Sequence, residues 1–100
     1  MEGGNIKAIY ELGSCYAYGE GVMKNEKKAF ELYLKSAEGG YKEALYVVGN
    51  CYQDGKGILE DKGKAFKWSL KSAEKGHAYS QFLVAYYYYD GEYLSKNEEK

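Results

Sequence analysis

The chain has 100 residues, 45% of them hydrophobic and 29% charged, with a formal net charge of −1. Acidic and basic residues are interspersed, so no basic stripe exists for a nucleic acid or an anionic membrane surface. No apolar stretch approaches the ~20 residues of a membrane-spanning helix and the start lacks the apolar core of a signal peptide, which predicts a soluble, cytoplasmic protein.

Proline is absent, which favours helix. The 13 glycines and 13 tyrosines therefore need positions and reasons. Sliding the chain against itself by 36 residues supplies them. Gly4, Ala8, Tyr10, Gly13, Cys15, Tyr16, Gly19 and Gly21 fall on Gly40, Ala44, Tyr46, Gly49, Cys51, Tyr52, Gly55 and Gly57. Lys28, Ala29, Phe30, Leu34, Lys35, Ser36, Ala37 and Glu38 fall on Lys64, Ala65, Phe66, Leu70, Lys71, Ser72, Ala73 and Glu74. Roughly 16 of 36 positions coincide, the mark of a repeat architecture. The copies run 4–39, 40–75 and, truncated, 76–100, and form one domain.

The first copy is preceded by Met1-Glu2-Gly3-Gly4, which looks like the tail of another repeat. In the second copy, residues 41–54 place Ala44, Leu45, Val48, Cys51 and Tyr52 on one stripe, the pattern of an amphipathic helix. Gly55 is placed to end that helix in the left-handed conformation. Asp61 is a good N-cap for the next helix, over 62–74, and Asn25 and Asn97 hold the same place in the other copies. Ala65, Phe66, Leu70 and Ala73 share one face of that second helix. Gly13 and Gly49 lie inside first helices, where glycine costs ~1 kcal/mol relative to alanine. A repeated cost at a repeated position predicts close backbone approach, with Ala29, Ala37, Ala65 and Ala73 as the facing small residues.

The third copy is degraded. Val84, Tyr88, Asp90 and Gly91 match Val48, Tyr52, Asp54 and Gly55, which places Tyr88 in the core with Tyr16 and Tyr52. The run Tyr86-Tyr87-Tyr88-Tyr89 wraps rings around most of a turn, and the copy stops at Lys100 where its second half should begin. Both ends of the array read as uncapped, which suits either a segment of a longer array or self-association through the exposed ends.

These residues resemble a known family. Leu12-Gly13-x-x-Tyr16-x-x-Gly19-x-Gly21-Val22, Lys28-Ala29 and Lys35-Ser36-Ala37-Glu38 look like a Sel-one-like repeat, a relative of the tetratricopeptide repeat. So do Gly49, Tyr52, Gly55, Gly57, Ile58, Lys64-Ala65-Phe66-x-Trp68 and Lys71-Ser72-Ala73-Glu74-x-Gly76. The resemblance implies an all-α, right-handed α-solenoid with first helices lining the concave side and second helices outside. It also implies adaptor work, holding partner proteins together in degradation, signalling and host–microbe contacts, without catalysis or a cofactor. The third copy departs from the pattern at Ala85 and Tyr93, where the family places glycines.

Chemistry-bearing residues are few. Cys15 and Cys51 hold one position in successive first helices, about 8–10 Å apart by axis, whereas a disulfide wants Cα atoms within about 7 Å. Some secreted relatives pair cysteines within each repeat, a spacing missing here; both thiols read as small core residues. His77, the single histidine, begins the third copy just after a turn glycine, where relatives often use histidine for local packing. The Gly19-Glu20-Gly21 and Gly55-Lys56-Gly57 loops follow helices and lack the remaining parts of a phosphate fingerprint. Asp54, Glu60 and Asp61 do not have calcium-loop spacing, so no metal is implied.

A binding face is the remaining candidate. Tyr10, Ser14 and Ala17, then Tyr46, Asn50 and Gln53, then Phe82, Tyr86 and Tyr89 each follow i, i+4, i+7 spacing and mark one helix face. On a concave side these form adjacent columns suited to a protein or peptide partner, rings giving area and amides reading backbone. The same spacing admits another reading, in which Tyr10 and Tyr46 pack between repeats and never meet a ligand.

Overall fold

The structure is a computed structural model; it describes residues 3–90, with side chains from 5 to 89. Five helices follow in order: α1 (Gly3–Tyr18), α2 (Glu26–Glu38), α3 (Lys42–Asp54), α4 (Lys62–Glu74) and α5 (Ala78–Asp90). Helices α3 and α4 lie where the apolar periodicity puts them. The Asn97 cap and the Gly91 and Tyr93 positions lie outside the described residues, as do Met1 and Glu2. Gly3 and Gly4 belong to α1 itself, so the glycine 36 residues before the Gly40 turn is helical here.

Local chemistry fixes the helix ends. Asn25 Oδ1 accepts the Lys28 backbone N–H at 3.0 Å, and Asp61 Oδ1 accepts that of Lys64 at 3.0 Å. Each satisfies one of the donors that a helix start leaves orphaned. Gly55 ends α3 at φ 69° and ψ 37°, its N–H bonded to the Cys51 carbonyl, as the left-handed cap requires.

The helices stack in series, and each packs extensively only on its neighbours in sequence. The product is an elongated α-solenoid of 49 × 26 × 17 Å. Its core joins α2 and α3: Ala29, Phe30, Tyr33 and Ala37 close on Ala44, Leu45, Val48 and Cys51. Truncating a buried leucine such as Leu45 to alanine costs about 2–5 kcal/mol, a large part of a small domain's stability.

Two serines join the helices of each pair. Ser36 Oγ donates to the Ile6 carbonyl at 2.8 Å and Ser72 Oγ to the Lys42 carbonyl at 2.9 Å. Both serines are fully buried, and the bonds satisfy hydroxyls that burial would otherwise penalise. Gly49 does allow close approach: a Cβ there would stand 3.2 Å from the Ala65 carbonyl oxygen and 3.0 Å from Ser69 Oγ. At Gly13 the expectation of a small facing residue is corrected, because the space is filled by the Tyr33 ring, 3.1 Å from such a Cβ.

The tyrosine run also needs correction. The ring buried in the core is Tyr87, 8% exposed, while Tyr88 is 53% exposed. Tyr87 stands 36 residues after the buried Cys51 and takes its inward position. Tyr88 keeps the contact of its counterpart: it meets Phe66 edge-on at 5.7 Å, as Tyr52 meets Phe30 at 5.5 Å. The following helix α4 also brings Lys64 over the Tyr52 ring at 5.6 Å. No second helix follows α5 among the described residues, so Tyr88 stays open to water.

Candidate protein-binding groove

The first helices of the first two copies form a groove. Tyr10, Ser14 and Ala17 from α1 face Tyr46 and Asn50 from α3 across a cavity of about 510 Å³, with Tyr33 from α2 in its floor. Five of the nine columnar positions thus converge. Gln53 is half-buried and outside this lining. Phe82, Tyr86 and Tyr89 lie exposed on α5 and do not join the groove; Tyr89 is 90% exposed.

Packing governs how the groove residues are held. Tyr10 lies between Tyr33, at 5.4 Å, and Tyr41, at 5.2 Å. Tyr46 stacks on His77 at 4.7 Å and meets Tyr79 edge-on at 5.5 Å. Both tyrosines therefore bridge successive repeats and line the groove at once, and each remains half-buried. Ser14 Oγ and Tyr33 Oη share a hydrogen bond of 3.0 Å, which holds the floor in place. Burial raises the Tyr10 and Tyr33 phenols above their ordinary value, with the neighbouring Tyr33 adding to the rise at Tyr10, so both are neutral hydrogen-bonding groups at physiological pH.

The rim carries both signs: Lys24 and Lys56 stand with Glu26 and Asp54. Lys24 and Glu26 approach to 3.9 Å in an exposed pair, an arrangement worth little energy. A balanced rim does not select a strongly charged ligand. The half-buried Asn50 carboxamide, with two donors and an acceptor, supplies the polar chemistry between the rings.

A second depression, of about 600 Å³, lies at the Gly40 turn around Trp68, with Glu38, Lys71, Glu74 and Lys75 on its walls. Lys71 Nζ sits 5.9 Å from the indole centre, so the chain's own cation occupies that ring. Columnar spacing did not point to this site, because Trp68 belongs to a second helix.

The histidine has structural partners, and Cys51 belongs to the core. Both cysteines are free, Cys15 half-buried and Cys51 buried. Burial pushes the Cys51 thiol up to about 11, with Lys56 opposing slightly, which keeps it protonated and a poor nucleophile. His77 Nδ1 accepts the Ser80 N–H at 3.2 Å and lies 2.9 Å from Ser80 Oγ. It caps α5 as Asn25 and Asp61 cap α2 and α4. Among the described residues no three His, Cys, Asp or Glu side chains gather as a metal cradle, and no helix is long and apolar enough to cross a membrane.

The Sel1 repeat family model matches residues 6–41, 42–77 and 78–100. Its period is that of the sequence, with each unit beginning two residues later than the glycine-based boundary. The fold is similar to a crystal structure of a Sel1 repeat protein from Oxalobacter formigenes, at TM-score 0.84 and 37% identity over 87% of this chain. It is also similar to c5321, a protective antigen of uropathogenic Escherichia coli with an SLR fold, at TM-score 0.85 and 28% identity over 92% of this chain. Helicobacter pylori cysteine rich protein B shares the fold, at TM-score 0.76 and 23% identity over 78% of this chain and 59% of its own. The chain spans 36% of the Oxalobacter protein and 20% of the Escherichia coli antigen. No curated protein sequence matches it.

Proposed function

Because the chain belongs to the Sel1 repeat family, whose members are generally protein–protein interaction scaffolds, we propose that it is a non-catalytic adaptor binding an extended peptide segment of a partner. The segment lies in the groove between α1 and α3. One observation carries this reading: Tyr10, Ser14, Tyr46 and Asn50, from two different repeats, line a single cavity. Rings held from behind by interrepeat packing lose little freedom on binding, which lowers the cost of association. The carboxamide of Asn50 suits a peptide backbone, and the mixed rim suits a segment of low net charge. The free thiols of Cys15 and Cys51 support a reducing compartment such as the cytoplasm.

The test is selection from a displayed random-peptide library on the full chain, repeated on Asn50→Ala. A consensus peptide that loses about tenfold or more in affinity on Asn50→Ala, with melting unchanged, supports the groove. A peptide insensitive to Asn50→Ala and lost on Tyr89→Ala would move the site to α5.

A second reading is favoured by α5 itself, where Tyr79, Phe82, Tyr86, Tyr88 and Tyr89 are all exposed. An aromatic patch of this kind marks an interaction surface. In that reading the repeats serve assembly or self-association. A light-scattering mass that doubles with concentration and returns to the monomer on Phe82→Ser with Tyr89→Ser would support it.

A further inference from the structure

Helices α2 and α4 hold the same place in successive repeats, but their charges differ. Helix α2 carries three lysines and three glutamates. Helix α4 carries four lysines and one glutamate, with Lys75 directly after it. Where the first copy has Glu31, Leu32 and Gly39, the second has Lys67, Trp68 and Lys75. Lys64, Lys67, Lys71 and Lys75 follow i, i+3, i+7, i+11 spacing and so share one helix face. All four are exposed. Charges that look interspersed along the sequence thus gather locally into a basic stripe about 16 Å long, at the helical rise of about 1.5 Å per residue.

Helix stability does not account for the stripe. Lys67 and Lys71, and again Lys71 and Lys75, are like charges at i, i+4, an unfavourable spacing. Lys71 and Lys75 suit a helix C-terminus, but Lys64 stands in the first turn, which favours acids and here holds none. None of the four lysines is ion-paired among the described residues. Lys64 and Lys71 lie instead over the Tyr52 and Trp68 rings, at 5.6 Å and 5.9 Å, which fixes where their charges stand. The stripe faces outwards and a further repeat would leave it open. Its counterparts Lys28, Glu31, Lys35 and Gly39 are exposed although the whole second copy follows them.

We infer that the outer face of α4 is a docking surface for an acidic segment of a partner protein, its carboxylates along the four lysines and one apolar side chain in the depression beside Trp68. Charge complementarity carries the inference. The depression supplies the recess: Ala37 and Leu45 back it, and Glu38 and Glu74 on its walls bound the basic surface at that end. A nucleic acid or an anionic membrane suits the surface less. The stripe is one helix wide, the lysines and glutamates of α2 balance, and the whole chain is net negative. None of these residues lines the groove between α1 and α3, so the inference stands independently of the groove. An adaptor with both surfaces would hold two partners on opposite kinds of chemistry.

Trp68 is the single tryptophan, so its fluorescence reports on the stripe. The test titrates the full chain at low ionic strength with a short synthetic peptide of glutamates around one leucine. Exposed charge pairs are individually weak, so saturation is expected at a Kd from about 100 μM to about 1 mM, weakening as salt rises. Lys67→Glu, which gives the second copy the residue that the first has at Glu31, should weaken binding about tenfold with melting unchanged. Lys7→Glu makes the same change of net charge on α1 and should leave binding as it was. A peptide with serine for the leucine should bind severalfold more weakly, and one with glutamines for the glutamates should not bind. The inference is overturned by no saturation at about 5 mM, by equal binding of either altered peptide, or by equal losses on Lys67→Glu and Lys7→Glu. Tighter binding of a DNA oligonucleotide or of phosphatidylserine vesicles than of the peptide would overturn it as well.

Discussion

The imidazole of His77 lies 4.7 Å from the ring of Tyr46 with 20° between their planes, while its Nδ1 accepts the Ser80 backbone N–H. One side chain thus starts α5 and fastens it to α3. The bond from Ser80 N–H requires an unprotonated Nδ1, so the tautomer carries its proton on Nε2. His77→Ala removes both contacts and should cost about 1–2 kcal/mol. His77→Asn restores a capping oxygen without the stack and should recover about half of that loss. Chemical denaturation of the three proteins checks the order wild type, Asn, Ala. Equal stability of the Asn and Ala variants would mean that the cap contributes nothing.

A pair of glycine substitutions separates backbone conformation from interrepeat contact. Gly21 and Gly57 both have positive φ, so alanine at either pays about 1 kcal/mol for the left-handed backbone. Only at Gly57 does the added Cβ also run into the Glu26 carbonyl. Gly57→Ala should therefore lower the melting temperature clearly more than Gly21→Ala does. Matching losses would show that the loop gives way freely.

Gly49→Leu should unfold the array. A Cβ alone stands 3.0 Å from Ser69 Oγ and 3.2 Å from the Ala65 carbonyl oxygen, and a leucine adds three carbons to that crowding. Separation of α3 from α4 is the only relief, and it uncovers the buried Ala65 and Ser69. Loss of the cooperative thermal transition by circular dichroism is the expected outcome, since overpacking of this size exceeds the usual 1–3 kcal/mol. An unchanged melting temperature would contradict the packing described.

Alkaline pH should destabilise the fold. Cys51 ionises at about 11 in the native protein, above its ordinary value, so the unfolded chain loses that proton first. Stability is intact below the ordinary thiol range and falls as pH rises through it towards 11. The raised phenols of Tyr10 and Tyr33 act in the same direction at higher pH. Urea midpoints measured from neutral to alkaline pH should decline, and Cys51→Ala should flatten the first part of the decline. In the same range Cys15, half-buried, should be alkylated ahead of Cys51, as mass mapping of the labelled protein would show.

The sequence carried the repeat and most of the core because both are periodic. Ala44, Leu45, Val48 and Cys51 recur at helical spacing, and the caps Asn25 and Asp61 are local signals read within three residues. What periodicity missed depends on distant parts of the chain. Ser36 and Ser72 look like solvent-facing positions, yet each is buried against a carbonyl 30 residues away. In the tyrosine run every face of the helix is aromatic, so hydropathy has no contrast to show that Tyr87 turns inward. Of the nine columnar residues that spacing picked out, five line the cavity between α1 and α3, and Gln53, Phe82, Tyr86 and Tyr89 do not. Spacing also admitted that Tyr10 and Tyr46 pack between repeats, but not through which partners, because Tyr41 and His77, which hold them, sit in turns outside the stripe.

Contacts that fall mostly between consecutive helices also decide how the molecule bears load. A sheet-based domain resists pulling until many hydrogen bonds shear together, but here no layer is pinned by a distant one. Tension applied along the long axis should peel helices away from the ends in small successive steps and let them re-dock as it falls, because each layer depends only on its neighbours. On this packing the molecule should yield as a soft spring, which a force–extension trace without a single large rupture would show.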